Sequence, residues 1–224
     1  MNKIDSQKHP APDIPAGLIL IFAALGSLIA AAHHPVIEAR ERDELLARIP
    51  ETAFTNRFVH GTLILCGVAL LFAFCRFARR QGIQRTSVLL GLIFFALGTL
   101  AMIAAALIDG FLVPEIGTNY LRATGATVDA GFSLLQFCSI AIQLFTKSSL
   151  IATSSATLLW SISFVRPGRN TLWAALVGVL VALLQLYILA YGGSPITAHT
   201  VVFVVAPQMV WNIIVGLLLI SGDL

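Results

Sequence analysis

Long apolar runs separated by short polar turns recur along the whole chain, for example over roughly residues 15–32, 86–113 and 197–220. A run of about 18 such residues or more is long enough to cross the hydrocarbon core of a bilayer as a helix. Only helices and closed barrels satisfy every backbone N–H and C=O in that medium, and runs this continuous read as helices. Composition points the same way: 58% of residues are hydrophobic, 11% are charged and mean hydropathy is +0.89. A soluble domain carries about one quarter charged residues. The expectation is an all-α, polytopic transmembrane helix bundle, one domain over residues 15–221 with the lipid bilayer as its main partner.

The punctuation sets the segments. Residues 1–14 are polar, hold Pro10 and Pro12 and lead to Pro15, which predicts a flexible cytoplasmic tail. A first helix follows over about 15–32 and ends after His33 and His34, where Pro35 stops it. It is as long as a full span and no small-residue cleavage pattern follows, so it reads as a retained helix. Between about 36 and 49, Ile37, Leu45, Leu46 and Ile49 alternate with seven charged residues, which suits an amphipathic helix lying at the interface. Further helices are expected over about 57–79, over 86–113 up to the break at Pro114 and Gly117, and over 127–165. Two more follow, from the turn at Arg166-Pro167-Gly168-Arg169 to about Tyr191, and over 197–220.

The segment 127–165 would be about 58 Å long at 1.5 Å per residue, nearly twice a bilayer core. Either one helix protrudes or kinks, giving six spans, or a helical hairpin turns near Lys147-Ser148-Ser149, giving seven. That sequence has no Gly, Pro or Asn, which favours six. Positive charge then sets direction. Lys3 and Lys8, the cluster Arg76, Arg79, Arg80 and Arg85, and the pair Arg166 and Arg169 all fall on one side of a six-span chain, which places both termini in the cytoplasm. A bacterial inner membrane is the expected location. The two halves show no convincing inverted repeat of the transporter kind.

With that topology, ionisable side chains collect at the opposite, exoplasmic level. His33 and His34 end the first helix, and His60 lies one turn into the second. Asp109 is near the end of the third, Asp129 opens the fourth and His199 opens the sixth. Ionisable groups near hydrocarbon are costly and tend to mark pathways, cofactors or reactive sites. Neutral imidazole is the commonest biological metal ligand, and carboxylates complete or orient such shells. The set therefore suggests a transition metal or haem pocket, although helix ends are also where amphipathic side chains reach water. Paired histidines on facing helices, of the kind some cytochrome b bundles use, are missing, which weakens the haem version.

A second feature is a polar stripe along the fourth helix: Ser133, Gln136, Gln143 and Lys147 recur at helical spacing after Asp129. With Gln185, Gln208 and Asn212 it could line a hydrated path for a small-molecule or ion ligand, although such residues also hydrogen-bond across helices. This makes a solute transporter or channel the competing class. A metal-dependent intramembrane hydrolase is a third.

Other chemistries lack support. No HExxH, GxSxG, Walker A, GxGxxG or SxxK pattern occurs. Cys66, Cys75 and Cys138 sit singly inside apolar runs and read as packing residues. The net charge of +3 is spread over short loops, so nucleic acid is not an expected partner. Oligomeric state has no signature in the sequence.

Overall fold

The computed structural model describes residues 11–35, 42–120, 126–165, 171–191 and 198–223, and among these there is no strand. Its elements are α1 (Ile14–Ala32), α2 (Arg42–Gln81), α3 (Thr86–Leu107), a π-helical turn (Ile108–Leu112), α4 (Val113–Tyr120), α5 (Ala126–Phe164), α6 (Leu172–Tyr191) and α7 (Ala198–Ser221). Among the described residues, six stretches are long and apolar enough to cross a membrane, with α3, the π turn and α4 forming one of them. This architecture suits a multi-pass helical membrane protein. The large side chains it exposes, such as Phe22, Ile29, Leu65, Leu97, Phe137 and Leu180, form an apolar exterior suited to lipid.

The spans pack as a closed ring in chain order. α1 touches α2, α2 touches α3, α3 touches α5, α5 touches α6, α6 touches α7, and α7 returns to α1. Ring closure depends on small residues. A Cβ added at Gly216 would lie 2.9 Å from the carbonyl oxygen of Gly17, so the α1 and α7 backbones meet where neither has a side chain.

One end of the ring is tied and filled. The Asp13 side chain caps α1 by accepting from the Ala16 N–H, its backbone N–H donates to the Leu219 carbonyl at 2.9 Å, and its carboxylate pairs with Arg76 at 3.0 Å. Arg80 donates to the Ala11 carbonyl. These bonds hold the start of α1, the end of α2 and the end of α7 together. Above them, Phe74, Phe77, Trp160, Phe164 and Trp211 are buried in one aromatic cluster. The Phe74 ring lies nearly parallel to those of Trp160 and Trp211, with centroids 4.6 and 5.9 Å away. Sixteen residues of α2 separate Arg76 from His60, about 24 Å of helix. The arginine end and the histidine end are therefore opposite ends of the ring.

α5 runs unbroken through Lys147-Ser148-Ser149, as the favoured six-span reading expects, so no hairpin interrupts it. Two boundaries differ from the sequence expectation. α2 starts at Arg42 and passes through Pro50, so residues 42–49 are its first turns and are not separated from the helix expected at 57–79. Packing overrides the proline there, because Ile49 is buried with Ile116, Leu135 and Cys138. The rest of the expected interfacial helix, 36–41, and the tail 1–10 lie outside the described residues. Finally, Pro114 and Gly117 do not end the third span, which continues as α4 after the π turn.

Candidate metal centre

The π turn explains how Pro114 is accommodated and how Asp109 is aimed. The Val113 N–H bonds to the Ile108 carbonyl, an i to i−5 step. In that register the N–H due at the Asp109 carbonyl belongs to residue 114, a proline without one. Asn56 on α2 supplies it: Nδ2 donates to the Asp109 carbonyl oxygen at 2.7 Å. A break in one helix is thus closed by a side chain of its neighbour.

The same turn brings α2 close. A Cβ on Gly110 would overlap Cβ and Cγ of His60, so only glycine lets the two backbones approach this far. His60 is 4% exposed. Its Nδ1 lies 2.9 Å from the Asn56 carbonyl oxygen, one turn back. A carbonyl only accepts, so Nδ1 carries the proton and Nε2 is the nitrogen facing the site.

Three side chains converge. His34 Nε2 and His60 Nε2 each lie 3.3 Å from Asp109 Oδ2. One potential ligand atom from each residue falls within 4.8 Å of the others. The two imidazoles meet edge to face with centroids 4.9 Å apart, so no macrocycle fits between them as a bis-histidine haem would need. Two buried polar atoms here, His34 Nδ1 and Asn56 Oδ1, have no hydrogen-bond partner among the described residues.

The spacing admits two descriptions. A charge-assisted N–H···O bond is shortest and strongest at about 2.7–2.9 Å. Tetrahedral ligands about 2.0–2.1 Å from a zinc ion lie about 3.3–3.4 Å from one another. Both His–Asp separations match the tetrahedral edge, while also lying within ion-pair reach.

A cavity of about 170 Å³ opens on the trio, walled by α1, α2, α3 and α5, with Gln143 and Thr146 on the α5 side. A second cavity of about 140 Å³ lies in the middle of the ring and receives side chains from all six spans. The two share Ala31, Leu63, Met102 and Ala106 as walls.

The other candidates separate from the trio. His33 is exposed and its Nδ1 donates to the Ile29 carbonyl at 2.8 Å. Asp129 is exposed at the start of α5, where its carbonyl accepts from Ser133 Oγ at 3.0 Å. His199 lies in the first turn of α7, and its side chain is outside the described residues. Arg57 pairs with Glu115 at 3.3 Å, not with Asp109.

The stripe divides as well. Ser133 and Gln136 are exposed, Gln143 lines the upper cavity, and Lys147 is half-buried. Gln185, Gln208 and Asn212 line the central cavity. There Gln185 accepts from Ser154 Oγ at 2.7 Å and donates to the Val204 carbonyl at 2.8 Å. Gln208 accepts from Thr157 Oγ1 at 3.1 Å and donates to Asn212 Oδ1 at 3.0 Å.

Sequence reasoning missed Asn56, Gly110 as the seat of His60, and Thr146. Asn56 stands one turn before His60 in the same helix, a helical-spacing signal that the expected helix start at residue 57 concealed. Comparisons with protein-family models, with curated proteins and with solved structures give no match for this chain.

Proposed function

We propose that this membrane protein binds one first-row divalent cation, with zinc the best match, through His34 Nε2, His60 Nε2 and Asp109 Oδ2. The observation that carries the reading is the pair of 3.3 Å separations from one carboxylate oxygen to two imidazole nitrogens. A neutral His60 presents a lone pair at Nε2, and a carboxylate oxygen presents another. A shared cation removes their mutual repulsion without protonating either group. The Asn56 carbonyl behind His60 and the Asn56 amide behind the Asp109 backbone are the kind of outer partners that orient metal ligands. Two histidines with a carboxylate suit zinc, and also iron(II).

In the orientation set by the basic residues, both termini are cytoplasmic and the centre lies toward the exoplasmic face of a bacterial inner membrane. A solute or ion pathway along the polar stripe has less support. Ser133 and Gln136 are exposed, Gln185 and Gln208 hydrogen-bond within the bundle, and the aromatic cluster fills the arginine end of the ring.

The test is elemental analysis of the full-length protein purified without chelator. About one equivalent of metal per chain is expected, falling to background in His60→Ala and Asp109→Ala while the helical circular dichroism is kept. Protein that stays metal-free after incubation with zinc, iron(II) and cobalt(II) would overturn the assignment.

A further inference from the structure

We infer that the centre is a docking point for an amphiphile, which binds the cation through an oxygen-donor headgroup and lays an unbranched apolar tail into the middle of the helix ring. The inference rests on the metal reading above and names the ligand class for it.

The first observation is the number of donors. Among the described residues, the group at this site contains three ligand side chains, from the segment just after α1, from α2 and from the turn after α3. The facing wall from α5 offers Gln143 and Thr146, neither of them a histidine, cysteine or carboxylate. Closed structural zinc sites use four protein ligands, whereas three-ligand sites keep a position for water or an incoming oxygen donor. A cavity of about 170 Å³ stands at that position, with roughly ten times the space one water needs.

The second observation is what lies beneath. The central cavity, about 140 Å³, begins at the four shared wall residues, of which Met102 has the most adaptable side chain. Its polar neighbours largely satisfy one another through the Ser154–Gln185–Val204 and Thr157–Gln208–Asn212 bonds. What remains on offer to a guest is apolar surface from residues such as Leu70, Phe95, Ile103 and Val205. A hydrophilic solute would be stripped of water there without replacement bonds, whereas an alkyl chain loses nothing. The parallel rings of Phe74, Trp160 and Trp211 stand at the arginine side, and Phe74 packs with its centroid 4.4 Å from that of Phe95, which lines the chamber.

The test uses cobalt(II)-loaded full-length protein in lipid nanodiscs, titrated with acetohydroxamate and with octanohydroxamate and followed by the visible cobalt spectrum. Both probes should perturb the spectrum, and the octyl probe should bind at least ten-fold tighter, the gain from burying about two methylenes. Nanodiscs carrying Asp109→Ala correct for partition of the longer probe into lipid. Gly67 lines only the central cavity, and a Cβ there meets Thr99 Cγ2 at an ordinary 3.5 Å. Gly67→Leu should therefore abolish the chain-length preference and leave cobalt content and acetohydroxamate affinity unchanged. Equal affinity of the two probes for wild-type protein, with cobalt bound, overturns the inference and leaves the metal reading standing. Failure to load cobalt overturns both.

Discussion

The Asn56 side-chain amide donates to the backbone carbonyl of Asp109 at 2.7 Å, the acceptor that Pro114 leaves without its π-helical partner. A backbone defect in one span is thereby repaired by another, and the repair lies directly behind the proposed ligand. The backbone carbonyl of Asn56 also holds His60 Nδ1. One residue therefore braces two donors.

Asn56→Ala should weaken metal binding without abolishing it. The orphaned carbonyl costs about 1–3 kcal/mol of stability. Loss of an outer-shell brace lowers affinity about 10–100-fold. Chelator competition gives the affinity and thermal melting in detergent gives the stability. An unchanged zinc affinity would rule out the bracing role.

Pro114→Ala should split stability from binding. Alanine returns an N–H to the turn, which then competes with Asn56 for the Asp109 carbonyl and favours ordinary helix. The melting temperature is expected to hold or rise while zinc affinity falls at least ten-fold. Parallel loss of both would mean that Pro114 stabilises the span by another route.

Gly110→Ala should displace His60, since the new methyl overlaps the histidine Cβ and Cγ. Overpacking of this kind costs about 1–3 kcal/mol, and metal content should drop toward that of His60→Ala. Gly61→Ala is the control, because its Cβ would only approach Phe111 Cζ at 4.0 Å. Equal metal content in the two variants would dissociate His60 from the site.

Topology has a direct readout. In a background with Cys66, Cys75 and Cys138 replaced, Gln84→Cys should react with a membrane-impermeant maleimide only from the cytoplasmic side, and Asn119→Cys only from the exoplasmic side. Both residues are exposed, at opposite ends of the third span. Labelling with the sides exchanged would invert the orientation of the metal centre.

The spans were legible because hydrocarbon leaves little choice: apolar runs of this length are helices, and their number followed from charge and punctuation. The level of the site was legible for the same reason, since His34, His60 and Asp109 each fall near the end of a run. Which residues meet was not. His33 and His34 are adjacent at and just past the end of α1, so only packing decides that one bonds back to Ile29 while the other faces Asp109. The π turn has no sequence signature of its own, so Pro114 read as a stop. The amphipathic stretch up to residue 49 read as a separate helix likewise, whereas Ile49 packs with Ile116 in the first turns of a continuous α2.

The ring closes in chain order, with α1 and α7 meeting at Gly17 and Gly216. His34, His60 and Asp109 all precede α5, α6 and α7 in the sequence. During synthesis the three proposed ligands therefore leave the ribosome before the second half of their enclosure exists. Biosynthetic order places the proposed ligands first and completes the chamber around them afterwards, so truncation after α4 would remove the walls from α5, α6 and α7 and keep every proposed ligand.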